Sequence, residues 1–125
     1  MKNQYLILLS IALFMTCFLT SCKEPDPSVA KIFVRNTFKE LLPGVEVLIV
    51  ADADLYPALD LKALTNSSGY ASFNLEEYFA QFPAENPKIA DFKVYINKEG
   101  KFKNVGTLRS RANITAVETV FFDFD

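Results

Sequence analysis

Histidine and tryptophan are absent from this 125-residue chain, cysteine occurs twice, and the four glycines are dispersed. Without histidine, the Ser-His and Cys-His pairs of common hydrolases and all His-containing metal sites are excluded. Dispersed glycines leave no phosphate-cradling loop. A basic stripe is missing too: 13 Lys and Arg are scattered among 15 Asp and Glu, for a formal net charge of −2. Nucleic acid is therefore not an expected partner.

Acidic residues are also missing from the opening stretch, where Lys2 is the only charge before a mostly apolar run over residues 6–19. That run of 14 residues is shorter than the roughly 17 to 25 a helix needs to cross a bilayer. A charged start, an apolar centre and a small-residue end instead predict a cleaved secretory signal over residues 1–21. Cys17 lies inside the apolar run, so Cys22 is the single thiol of the mature chain and has no disulfide partner within it. Exported chains rarely keep one unpaired cysteine.

The stretch Leu19, Thr20, Ser21, Cys22 resembles the bacterial lipobox, in which the cysteine thiol receives a diacylglycerol before cleavage and the freed amine is then acylated. That resemblance implies a lipid anchor at Cys22 in the outer membrane or at the cell surface. Physically, each buried methylene adds about 0.8 kcal/mol, and two or more chains hold stably where one holds marginally. Residues 22–29 read as the lipidated cysteine and a spacer, because Lys23, Glu24, Pro25, Asp26 and Pro27 favour extended chain. The Lys-then-acid order after Cys22 resembles the surface-export signal of Bacteroidetes lipoproteins.

Residues 30–125 are expected to form one all-β domain. Short β-branched and aromatic runs alternate with turn residues at spacings near ten, which predicts seven strands over 31–36, 45–51, 61–65, 70–75, 92–97, 103–110 and 114–122. Period-two alternation assigns Ile32 and Val34; Val45, Val47 and Ile49; Ala71, Phe73 and Leu75; and Phe92, Val94 and Ile96 to the core. In the last strand Val120 shares a face with Glu118 while Val117 and Phe121 point the other way, and a bulge near Glu118 is the expected remedy. One helix interrupts the pattern: Leu75, Tyr78, Phe79 and Phe82 recur at helical spacing up to Pro83, with Asn74 and Glu77 placed as a capping box. Its aromatic stripe is expected in the core, where with a loop it covers one end of the sandwich.

Pro43-Gly44-Val45-Glu46-Val47, followed by Thr65-Asn66-Ser67-Ser68-Gly69-Tyr70-Ala71-Ser72-Phe73, resembles the strand-opening and hairpin motifs of transthyretin-like, carboxypeptidase regulatory-like domains. The resemblance implies a seven-stranded Greek-key, Ig-like sandwich serving as an adhesion, spacer or ligand-binding module. Gly69 would occupy a turn strained for other residues, and Val47 and Phe73 would fill the core. The chain departs from the pattern after its first strand, where 36–41 lacks glycine, and at Ser68, where aspartate is common.

No catalytic set emerges from spacing, and no cofactor is expected. Asp52, Asp54 and Asp60 are the only acidic grouping considered for Ca²⁺; they lack the glycine and distal Glu of an EF-hand loop, and Asp also opens turns. Phe33, Tyr70, Tyr95 and Phe121 fall on outward faces, and together they would form a contact patch. The leading expectation is a non-catalytic, membrane-anchored binding or assembly module for an envelope protein or a glycan. The alternatives are an accessory subunit of a pilus or outer-membrane nutrient-uptake complex, decided by whether residues 121–124 lie at an open sheet edge, and a carboxylate-based hydrolase.

Overall fold

In the computed structural model, which describes residues 26–84 and 88–124, seven strands and one short helix follow in the order β1 (Val29–Arg35), β2 (Glu46–Ala51), β3 (Asp60–Leu64), β4 (Tyr70–Asn74), α1 (Glu76–Ala80), β5 (Ile89–Lys98), β6 (Lys101–Arg111) and β7 (Thr115–Phe121). The signal segment and Cys22 lie outside the described residues. Two sheets pack face to face, one ordered β4-β1-β7 and the other β3-β2-β5-β6. Pairing is antiparallel except between β1 and β7, which run parallel. The chain crosses between sheets on leaving β1, β3 and β6 and around α1, and it makes hairpins only within the larger sheet, as a Greek-key sandwich requires.

Alternation builds the core. Ile32, Val34, Val47, Ile49, Ala71, Phe73, Phe92, Val94 and Ile96 are all buried between the sheets, and their neighbours in sequence face outward. The hairpin from β5 to β6 closes through Glu99 and Gly100, both at positive φ (55° and 83°), a turn whose twist matches that of the strands it joins. At the turn into β4, Gly69 has φ +78°, and a Cβ there would stand 2.6 Å from Leu41 Cβ. Conformation and space both demand glycine at that position.

The helix is core, as its stripe predicts. Leu75, Tyr78 and Phe79 are buried, and Tyr78 meets Phe92 at 5.5 Å between ring centroids. Tyr78 Oη donates to Pro57 O at 3.0 Å, so helix and the 52–59 loop together close one end of the sandwich. The expected capping box does not form: Leu75 takes the N-cap position, Asn74 Oδ1 accepts only from Glu76 N (2.9 Å), and among the described residues Glu77 makes no return bond. Core packing of Leu75 sets where the first turn starts, and this leaves Glu76 rather than Glu77 facing the incoming chain.

The expected bulge near Glu118 is also corrected. β7 pairs with β1 without a break from Thr115 to Phe121, while the register shift lies in the other sheet, where Val94 pairs Gly106, Tyr95 pairs Asn104 and Val105 is the extra residue. Glu118 needs no bulge because β7 is an edge, and its side chain reaches solvent around that edge.

Candidate functional site

The strand directions give the sandwich two distinct ends. At the end where the chain enters, Ser28 is only 1 % exposed. Its N–H donates to Glu76 Oε1, its carbonyl accepts from Leu75 N (2.8 Å), and its Oγ accepts from Asn113 N (2.8 Å). Packing therefore starts two residues ahead of the expected boundary at Ala30. The 52–59 loop, α1 and the 112–114 turn share this end.

The opposite end carries the 36–45 loop, the 65–69 turn, the β5–β6 hairpin and residues 122–124. Thr65 fastens it: the hydroxyl, in a side chain 4 % exposed, donates to Leu42 O at 2.6 Å and accepts from Val45 N at 2.8 Å. Large apolar side chains reach solvent mainly here. Phe38 is 79 % exposed, and Leu41, Leu64, Phe121 and Phe124 also reach solvent in the fold's far half, whereas Leu55, 74 % exposed, does so from the 52–59 loop at the entry end. An aromatic in the polar turn Asn36-Thr37-Phe38-Lys39 was the sequence signal for this feature, overlooked because the segment lies between strands.

Three of the four outward aromatics share one face, and two of them touch. Phe33 and Tyr70 pack at 5.1 Å between centroids, with Lys31 Nζ 5.0 Å above the Tyr70 ring. Phe121, on β7, lies diagonally from Phe33 on the same outer face, because Thr119 pairs with Phe33 and Phe121 with Arg35. Val117, four residues earlier on the same face, is as exposed as Phe121, at 55 %. Tyr95 does not join them: β5 belongs to the other sheet, where Tyr95 sits beside Leu48 in a surface that includes Lys62 Nζ over the Phe102 ring at 5.2 Å. Phe33, Tyr70 and Phe121 therefore share the outer face of one sheet, and Tyr95 lies on the other sheet.

The acidic grouping also divides. Asp52 and Asp54 line a recess of about 290 Å³ with Lys93 and Tyr95, whereas Asp60 pairs across the ladder with Val50 and lies outside that lining. Asp52 Oδ1 accepts from Asp54 N at 3.1 Å, and Asp52 O accepts from Tyr56 N at 2.9 Å, so the aspartate shapes a turn. Among the described residues, no three Asp, Glu or Cys side chains converge as cation ligands.

One polar cluster stands out nearby. Arg109 grips Asp91 with two bonds (Nε to Oδ1 2.8 Å, Nη2 to Oδ2 3.2 Å), and Tyr56 Oη donates to Asp91 Oδ2 at 3.3 Å. The guanidinium holds the Asp91 carboxyl below the usual carboxylate range. This cluster pins the 52–59 loop to the sheet.

No family model matches the chain, and no curated protein matches it.

Proposed function

We propose that the mature chain is a non-catalytic binding or assembly module held at the bacterial outer membrane or cell surface by lipid on Cys22. The observation that carries this reading is the polarity of the sandwich. The chain enters at one end, locked there by Ser28, while five of the seven large apolar side chains exposed among the described residues, Phe38, Leu41, Leu64, Phe121 and Phe124, reach solvent toward the other, and Leu55 and Val117 do so in the entry half. From Cys22 to Ser28 six residue steps reach at most about 20 Å, so the lipid keeps the entry end near the bilayer and directs the apolar end outward. The Leu19-Thr20-Ser21-Cys22 stretch supports the anchor, and the seven-stranded sandwich supports the likeness to transthyretin-like, carboxypeptidase regulatory-like domains.

An accessory role in a pilus or nutrient-uptake complex is the second reading: of residues 121–124 only Phe121 belongs to a strand, and it is the position of β7 at the edge of its sheet that favours this reading. The carboxylate-hydrolase reading gains no support, because it calls for a raised carboxyl beside a second acid and Asp91 moves downward instead.

The test is membrane partitioning of the full-length chain expressed in a bacterium that processes lipoproteins. Wild type is expected in the detergent phase with Cys22 acylated, and Cys22→Ala in the aqueous phase. Retention of the variant in membranes, or a wild-type chain with a free thiol at residue 22, overturns the anchor.

A further inference from the structure

A strand at the edge of a sheet exposes a row of backbone donors and acceptors, and folded proteins guard such edges with charge, bulges, proline or brevity. Four strands here are edges: β3, β4, β6 and β7. Within its five residues β3 carries Asp60 and Lys62. Lys101, Lys103, Arg109, Arg111 and the bulge at Val105 protect β6. β4 is five residues long and runs directly into α1. β7 has no Lys, Arg, proline or bulge, and its single guard is the charge of Glu118; its seven residues form an unbroken ladder on one side, and none of its backbone groups pairs on the other side among the described residues.

The same strand presents apolar surface and one charge. Val117 and Phe121 are half-exposed on its outer face. Glu118, at its midpoint, is exposed and has no ion pair or side-chain hydrogen bond among the described residues. An open ladder, flanking apolar side chains and an unpaired carboxylate together specify a ligand.

We propose that β7 is a docking edge for an extended segment of a partner protein, which adds beside it as a fourth strand, sets apolar side chains against Val117 and Phe121, and places a Lys or Arg opposite Glu118. Strand addition supplies main-chain hydrogen bonds for affinity and alternate side chains for specificity. A second copy of this chain fits less well: the antiparallel pairing that uses all of β7 centres on Glu118 and opposes it to its own copy, and like charges directly opposite destabilise a ladder. This inference rests on the binding-module reading and deepens it by naming the edge and the partner's pattern.

The test uses the full mature chain in detergent micelles and, in parallel, its Cys22→Ala form, so that an anchor that fails leaves the docking readout intact. The probes are two blocked peptides, Val-Thr-Val-Lys-Val-Thr-Val and the same sequence with Glu at its centre, titrated while backbone amide resonances are followed. The lysine peptide is expected to bind about fivefold more tightly than the glutamate peptide, with shifts concentrated on β7. Glu118→Lys reverses that order, and Val117→Lys weakens both peptides. Equal affinities, shifts centred elsewhere, no binding of either peptide, or a dimer of the mature chain with β7 amides already protected would each overturn the proposal.

Discussion

Replacing Thr65 with valine keeps the shape of the side chain and deletes one hydroxyl, which makes it a clean probe of how the far end of the sandwich is held. That hydroxyl donates to Leu42 O at 2.6 Å and accepts from Val45 N at 2.8 Å, and it does so in a side chain only 4 % exposed. Valine leaves a carbonyl and an N–H without their partner, and an orphaned buried polar group costs about 1 to 3 kcal/mol. The bond to Val45 N is buried while that to Leu42 O is part-buried, where water relieves some of the cost, so the expected loss is about 2 to 3 kcal/mol for the pair. For a domain near 100 residues each kcal/mol lowers Tm by about 4 to 8 °C, so Thr65→Val should melt about 8 to 24 °C below wild type. Thr65→Ser retains the hydroxyl and loses a methyl group, with a cost of about 1 kcal/mol. Urea unfolding of the three proteins, followed by tyrosine fluorescence, gives the differences directly. If valine proves no more harmful than serine, the hydroxyl does not fasten the 36–45 loop and the account of this end is wrong.

Three further outcomes follow from packing and ionisation. Gly69→Ala meets both a positive φ and a contact of 2.6 Å to Leu41 Cβ, whereas Gly100→Ala meets only a φ of +83° with open space around it; denaturation should show about 2 to 4 kcal/mol lost for the first and about 1 for the second. Among the described residues Ser110 Oγ is buried without a hydrogen-bond partner, so Ser110→Ala should raise the urea midpoint by the equivalent of about 1 kcal/mol. Burial pushes the Tyr78 hydroxyl up to about 12, so between about pH 10 and 12 the unfolded chain has released a proton that the folded chain keeps. Stability therefore falls as pH rises through that window, and Tyr78→Phe, about 1 kcal/mol weaker at neutral pH for want of the bond to Pro57 O, should show a shallower decline.

The sequence disclosed β1, β2, β4 and β5 because each has one dry face. Ile32 and Val34, or Phe92, Val94 and Ile96, alternate with Lys31, Arg35, Lys93 and Asn97, and no other backbone periodicity buries the first group while solvating the second. What alternation cannot disclose is which sheet a strand joins. Phe33, Tyr70 and Tyr95 all read as outward, yet outward from β1 and β4 is one side of the sandwich and outward from β5 is the other. Glu118 misled for a related reason: a charge on the core-facing side implies a slipped register in a central strand but is tolerated on an edge, and edge status depends on pairings between residues far apart in the chain. The Asp52, Asp54 and Asp60 grouping dissolved because the loop spends Asp52 on its own turn and returns Asp60 into the ladder.

Where the chain enters the fold has a mechanical consequence for a tethered protein. Load arriving through the proposed anchor reaches Ser28 and then β1, the central strand of its sheet, held by β4 on one side and β7 on the other. A pull along β1 must shear both ladders together, because the bonds lie across the direction of force and share it. Had the tether entered through an edge strand pulled at its free side, the ladder would open one bond at a time. β7, like β4 on the other side of the sheet, has only one ladder and so keeps hydrogen-bonding capacity for a partner, while the neighbour that carries the load gives up none of its own. A fourth strand added beside β7 would extend that same sheet, and force between anchor and partner would then run through contiguous ladders in a single layer rather than across the apolar core between layers.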